Sequence, residues 1–381
     1  VKSRQRRVVF LTSIITHYRL KFHELLRARL EEAGIRYDII YGEPDEAEAS
    51  KNDTVEPDWA TRIPQKRWRI KSVKMQFHPV FAAARGADLV ILGQENKHLQ
   101  NYLYQMTPKG LRPKLALMGH GRNFQSRRPD SAGEKWKRFW ATKVDYWFGY
   151  TEETRRHVES LGFAPDRITV FNNSVDTSQL RAQVAAVTDE RLQQRRAELG
   201  LVGRHVGVFV GGIYPDKRMT FLIEAADRIR ESVPDFELLV VGGGSDLSLV
   251  SDLARDRPWV HVLGPRFGQD KVELMMLGHV FMMPGLMGLA ILDAGVVGLP
   301  VATTAYPWHS PEIAYLQPGI SGLVVEDWEN PLAYAREVAD LLHDPVRLGQ
   351  IGIAAREMAD RYSIERMADN FANGILKALA V

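Results

Sequence analysis

Two stretches of this chain combine glycine, cations and an isolated carboxylate in ways suited to phosphate and ribose. In Val208-Phe-Val-Gly-Gly-Ile-Tyr-Pro-Asp-Lys-Arg-Met-Thr-Phe-Leu-Ile-Glu-Ala-Ala226, an apolar strand runs into Gly211-Gly212. A short loop then carries Lys217 and Arg218, and an amphipathic helix follows. Glycines let the backbone come close to a ligand, and two cations at a helix start suit a phosphate or diphosphate. A tight strand-to-helix turn with solvated charges fits the same residues. In the second stretch, Val280 to Val301, strand, loop, apolar helix, turn and strand succeed one another, and Asp293 is the sole charge. A buried carboxylate needs a hydrogen-bonding partner, which ribose hydroxyls would supply. Amides at Gly288 and Leu289 would face a phosphate at that helix start. The alternative is a helix cap or a core Asp bonded to backbone.

Other candidates lie nearer the N-terminus. His120, between Gly119 and Gly121, can approach a ligand closely, and a neutral imidazole can donate or accept a hydrogen bond. His17, Tyr18 and Arg19 follow the first strand-like run without a glycine-rich loop, so any contact there is made by side chains. Arg62-Ile-Pro-Gln-Lys-Arg-Trp-Arg-Ile-Lys-Ser-Val-Lys74 interleaves cations with apolar residues. Lys135 to Lys143 places Trp136, Phe139, Trp140 and Lys143 at helical spacing. Both segments suit an anionic membrane surface or a lipid-diphosphate acceptor. A solvated face with its aromatics in the core fits them equally. No nucleic-acid module is recognisable. There is no Gly-x-Gly-x-x-Gly, Asp-x-Asp or His-Glu-x-x-His, so neither a dinucleotide cofactor nor a catalytic metal is expected.

The motifs from Val210 onward resemble the nucleotide-sugar domain of the GT-B glycosyltransferases, specifically the retaining family 4. Val210-Gly-Gly-Ile-Tyr-Pro-Asp-Lys217 is similar to the family's loop after the first strand of that domain. Val262-Leu-Gly-Pro-Arg-Phe267 resembles the loop lining the base. Gly288-Leu-Ala-Ile-Leu-Asp-Ala294 with Gly298-Leu-Pro-Val301 resembles the Gly-Leu…Glu-Ala…Gly-x-Pro-Val signature. Pro311-Glu312 and Gly319-Ile-Ser-Gly-Leu-Val324 resemble its ending. The resemblance implies Lys217 on the donor diphosphate with help from Arg218, Asp293 on ribose, Gly264 and Arg266 beside the base, and Glu312 in the same site. It implies His120 over the donor sugar, and His17, Tyr18, Arg19 and Asn123 on the acceptor side. Two positions depart from the pattern. Gly212 stands where the diphosphate-binding Arg is usual, and Gly285 where the first Glu of Glu-x7-Glu contacts the sugar. The implied activity is transfer of a sugar from a nucleotide diphosphate to a hydroxyl of a glycan or lipid-linked acceptor, with retention and without cofactor, in cell-surface polysaccharide or glycolipid synthesis. An epimerase-like enzyme, or a degenerate nucleotide-sugar-binding protein, is the alternative.

The elements that must position these residues are visible as short apolar runs alternating with helical patterns, from Arg7–Thr12 through Gly322–Val325, which predicts α/β architecture with parallel sheets. With 381 residues there is room for two Rossmann-like domains, the two sheets of the GT-B fold facing a central cleft. The expected boundaries are 1–180 for the acceptor side, 181–360 for the nucleotide-sugar side, and 361–381 for a helix crossing back to the first domain. Charge divides along the same line: 35 basic against 24 acidic residues in 1–200, and 15 against 23 in the remainder, or +11 and −8. The basic half is expected to face something anionic. Cysteine is absent, which excludes disulfides, a thiol nucleophile and Cys-ligated zinc. Lys2 to Arg7 leads into a short strand rather than a long apolar run, so a cytoplasmic protein is expected, peripheral on the inner membrane face if the basic segments act there.

Overall fold

The computed structural model describes residues 4–45, 49, 53–70, 73–124, 127–128 and 130–381. The chain divides into two units, one of Val1–Asp176 with Ile364–Val381 and the other of Thr177–Ser363. The sequence placed these divisions at 180 and 360.

The first unit is a sheet in the order β3-β2-β1-β6-β7-β8-β9, in which every pairing is parallel. Its strands are β1 (Arg6–Thr12), β2 (Ile35–Tyr41), β3 (Thr61–Arg62), β6 (Leu89–Gly93), β7 (Lys114–Gly119), β8 (Tyr146–Gly149) and β9 (Ile168–Val170). Between β3 and β6 an antiparallel hairpin is inserted, made of β4 (Lys66–Ile70) and β5 (Val73–Phe77). Strand β1 is apolar on both faces because both are covered. Val8 and Phe10 enter one core cluster, while Val9 and Leu11 enter another. The first cluster is closed by helix α1 (His17–Glu32) and the C-terminal helix Ile364–Ala380. In that helix Phe371 stacks on Phe148 with centroids 4.1 Å apart and meets Phe22 and Phe171 edge-on. Gly374 permits the approach, since a Cβ there would lie 2.6 Å from the Phe148 ring.

The second unit holds β10 (His205–Val210), β11 (Phe236–Val241), β12 (Val260–Gly264), β13 (Val280–Met282), β14 (Val301–Thr304) and β15 (Gly322–Val325). They form a parallel sheet in the order β12-β11-β10-β13-β14-β15, with Val208 aligned on Leu239 at one side and on Phe281 at the other. Both units are therefore Rossmann-like. In each, the chain leaves the first strand toward one edge and later returns to its other side, so a crevice opens at the carboxyl ends where the order reverses. That point lies between β1 and β6 in the first unit and between β10 and β13 in the second.

Candidate active site

At the second reversal point the loop after β10 and the loop after β13 are stitched together. The Leu286 amide donates to the Asp216 carbonyl at 2.8 Å, and the Lys217 Nζ donates back to the Leu286 carbonyl. A Cβ at Gly285 would sit 2.1 Å from the Asp216 oxygen and 2.7 Å from the Lys217 carbonyl carbon. No side chain fits there, so the sugar-contacting carboxylate expected at this position is excluded by backbone packing. Gly285 contributes close approach alone. Lys217 is only 6% exposed and lies over the Tyr214 ring, and burial lowers its pKa to about 8 against a small opposing pull from Asp216. The ammonium is thus held where the two loops converge.

The rest of the cradle holds the β13 loop from behind. His309 is buried, accepts from the Met287 amide at Nδ1 and donates from Nε2 to the Thr304 carbonyl, so both ring nitrogens are committed and the tautomer is fixed. Burial pushes its pKa down to about 4, with Lys217 nearby adding to the effect. Thr303 and Thr304 hydroxyls donate to the carbonyls of Met283 and Pro284. Beyond these anchors the loop leads into helix α2 (Ala290–Val297). Arg218 takes a different part from the expected one. Its backbone is left-handed (φ 57°), and its guanidinium donates to the Trp328 carbonyl at 2.6 Å amid the rings of Phe221, Trp328 and Tyr306. The same guanidinium reaches the Pro284 carbonyl at 3.4 Å, so it braces both the loop after β15 and the loop after β13.

Helix α2 spans Ala290–Val297, and neither the Gly288 nor the Leu289 amide makes a hydrogen bond among the described residues. Both N–H groups stand at the positive end of the helix, where an anion is favoured. Asp293 departs from the sequence reading. It is not buried but 29% exposed at its side chain, and its partner is the Lys271 ammonium at 3.0 Å. Gly212 is exposed, and a Cβ there would press on the Tyr214 ring edge at 2.9 Å. Gly264 is left-handed (φ 69°), and its carbonyl accepts from Gly242. Arg266 is partly exposed, bonded to the Leu263 carbonyl and paired with Asp270. Glu312 is buried in the 3-10 turn Pro311–Tyr315. Sequence reasoning missed His309 and the run Gly242-Gly243-Gly244. The run's signal was three glycines closing an apolar strand: a Cβ at Gly242 would meet the Gly211 oxygen at 1.9 Å, and one at Gly244 the Ile213 oxygen at 2.1 Å.

At the reversal point of the first unit lies a cavity of about 220 Å³, lined by residues that include Thr12, Ser13, Tyr18, Arg19, Glu95 and His98. Tyr18 is 45% exposed, whereas Arg19 is fixed by the Asn173 side chain at 2.5 Å and by the Tyr18 and Tyr150 rings. The His17 amide donates to the Asp53 carbonyl. His120 stacks on Tyr150 at 3.9 Å, and its buried Nδ1 has no hydrogen-bond partner among the described residues. Burial first, then Arg19 and Lys137, lower its pKa to about 4, so the ring is neutral at neutral pH. The loop bearing it is held by Gln94, whose amide donates to the Gly121 carbonyl and accepts from the Gly121 amide, both at 2.9 Å. Gln94 is a further residue that sequence reasoning did not find. Asn123 is exposed, and its amide donates to Glu134.

Comparison with known proteins bears on both units. The family described as glycosyl transferases group 1 matches residues 204–344, and that described as glycosyltransferase family 4 matches residues 23–179. The chain thus carries two glycosyltransferase domains. A GDP-mannose-dependent alpha-(1-6)-phosphatidylinositol monomannoside mannosyltransferase of Mycolicibacterium smegmatis is 34% identical over 178 residues, 43% of this chain and 45% of that protein. A D-inositol 3-phosphate glycosyltransferase of Salinispora tropica is 30% identical over 227 residues, 53% of this chain and 44% of that protein. The chain spans about half the length of the curated relatives it matches. Among solved structures, Anabaena HepE in complex with UDP superposes with a TM-score of 0.68 at 15% identity, covering 97% of this chain and 99% of that one. The fold of this glycosyltransferase is therefore GT-B.

Proposed function

We propose that this chain transfers a sugar from a nucleotide diphosphate to a hydroxyl of a glycan or lipid-linked acceptor, with retention of anomeric configuration and without a metal. The observation that carries the reading is the convergence at one crevice of the buried Lys217 ammonium with the unbonded amides of Gly288 and Leu289. Such groups stabilise the charge that develops on a departing diphosphate. Lys217 would exchange the Leu286 carbonyl for a phosphate oxygen. Asp293, with Lys271 beside it, would take the ribose hydroxyls, and Gly264 and Arg266 would border the base. The neutral His120 ring, its Nδ1 unpartnered among the described residues, is suited to hydrogen-bond a sugar hydroxyl. In the reaction the bond from the anomeric carbon to the diphosphate oxygen breaks as that to the acceptor oxygen forms. The acceptor's proton passes to the leaving diphosphate.

The relatives named above support a nucleotide-sugar donor, since one is GDP-mannose-dependent and the HepE neighbour holds UDP. A role in polysaccharide or glycolipid synthesis at the inner membrane face belongs to the same reading. Among the described residues no helix is long and apolar enough to cross a membrane. Peripheral contact is supported by the helix Ala132–Ala141, where Trp136 is 49% and Phe139 57% exposed beside Lys143. The test is product analysis with UDP-, GDP- and dTDP-sugars and candidate acceptors, reading the new anomeric configuration by NMR. A retained linkage supports the proposal. Epimerised sugar from donor alone would point to the epimerase-like alternative, and failure to bind any nucleotide to a degenerate protein.

A further inference from the structure

In the inserted hairpin of β4 and β5, three of the four described cations fall on one face, with Lys66 on the other. Its register places Arg67 opposite Gln76 and Arg69 opposite Lys74. Because side chains alternate along a strand, Arg67, Arg69, Lys74 and Gln76 share one face. Like charges directly opposite each other destabilise a hairpin, and a carboxylate beside Lys74 offsets this. The hairpin borders a groove of about 540 Å³ whose lining includes Arg67, Arg69, Lys74 and Lys97, with Asp45 the one carboxylate among the lining residues. Lys74 meets Asp45 at 3.6 Å, and Arg67 donates to the Glu43 carbonyl. Lys97 pairs with Glu95 at 2.8 Å, outside the lining, and the described lining carries four cations against one carboxylate. Gln76 joins it to the cavity at the first reversal point: its amide donates to Ser13 Oγ and bonds His98 Nδ1, both cavity-lining residues, each at 2.8 Å. The Arg62–Lys74 segment was read from sequence as a basic stretch. Of it, Lys71 and Ser72 lie outside the described residues, and none of the four groove cations is among them.

We propose that this groove binds a phosphate-class anion carried by the acceptor, placing the neighbouring hydroxyl in the cavity of the same unit. The inference deepens the transferase reading and rests on its assignment of the first unit to the acceptor. Three or four cations along one groove suit a phosphate or diphosphate, and such binding weakens with salt.

The test is calorimetric titration of inorganic pyrophosphate into the full-length chain carrying Lys217→Met, which removes the donor-side cation. The same titration follows into that chain with Arg69→Gln and Lys74→Gln added. Binding should persist in the first and weaken by at least about tenfold in the second, as expected for the loss of charge-assisted bonds. Equal affinity in the two proteins would overturn the proposal. Lys97→Gln, which leaves the hairpin intact, should weaken binding in the same direction and guards against misfolding of the double variant. Co-sedimentation with vesicles of phosphatidylcholine alone, or equimolar with phosphatidylglycerol, separates the sources. Hairpin-dependent capture by the anionic vesicles assigns the anion to a lipid headgroup, and pyrophosphate binding without capture to a soluble acceptor. Failure of the donor reading would appear separately, as absence of UDP and GDP binding by the unsubstituted chain.

Discussion

Replacing Lys217 by Met should leave the second unit at least as stable at neutral pH while weakening nucleotide binding, and the size of the effect follows from burial. Lowering the ammonium's pKa from 10.5 to about 8 corresponds to about 3 kcal/mol at about 1.36 kcal/mol per pH unit. Met matches the side chain in length and removes the buried charge, but it leaves the Leu286 carbonyl without its donor, at a cost of about 1–3 kcal/mol. At neutral pH the variant should therefore be between equal to the parent and about 2 kcal/mol more stable. The pH dependence is sharper. Between about pH 8 and 10.5 the unfolded parent holds a proton that the folded parent has released, so parent stability rises across that window. The Met variant lacks this contribution, and its advantage over the parent should shrink by about 3 kcal/mol from pH 8 to 10.5. Urea denaturation of both proteins at several pH values measures the difference, in which the titrations of all other groups cancel to first order. A difference that stays constant across the window would refute the assignment of a buried, depressed lysine at this crevice. Nucleotide affinity in the parent should fall over the same window, since only the ammonium attracts a diphosphate.

Three further outcomes are expected. Phe371→Ala should destabilise the first unit by about 3–5 kcal/mol, because it removes a fully buried ring and leaves a cavity among Phe22, Phe148 and Phe171; thermal or urea unfolding reads this, and a loss below about 1 kcal/mol contradicts the packing. His309, neutral in the fold with its pKa lowered to about 4, should withdraw stability as pH falls from about 6.5 toward 4. His309→Ala should flatten that limb and weaken nucleotide binding by freeing the Met287 loop, whereas an unchanged acid limb would argue against it. Trp136→Ser with Phe139→Ser should reduce co-sedimentation with anionic vesicles without altering circular dichroism; retained capture would remove this helix from the membrane reading.

Much of this fold was legible because parallel strands covered on both faces read as short apolar runs. The sequence runs Val206–Val210, Glu237–Val241, Val301–Thr304 and Gly322–Val325 each lie within a residue of the ends of a strand. The hairpin of β4 and β5 was not legible, although Arg67-Trp68-Arg69-Ile70 alternates with a period of two; the high charge masked the strand signal. At the site, the spacing of Lys217 and Gly288 pointed to one crevice, since each follows a strand that flanks the reversal point. What spacing could not convey was where side chains turn. Arg218 adjoins Lys217 in sequence, yet a left-handed backbone at Arg218 sends its guanidinium into an aromatic box. Asp293 looked isolated on its own helix because its partner, Lys271, comes from another one. Gly285 read as a missing carboxylate, and packing shows that no side chain has room there.

The central claim is that the crevice between β10 and β13 binds a nucleoside diphosphate through Lys217. Calorimetric titration of UDP and of GDP into the full-length chain and into its Lys217→Met variant tests it most directly. At least one nucleotide should bind the parent, with an affinity that drops by at least about tenfold in the variant, the loss expected for a charge-assisted contact. Equal binding by the two proteins, or binding of neither nucleotide to the parent, would contradict it.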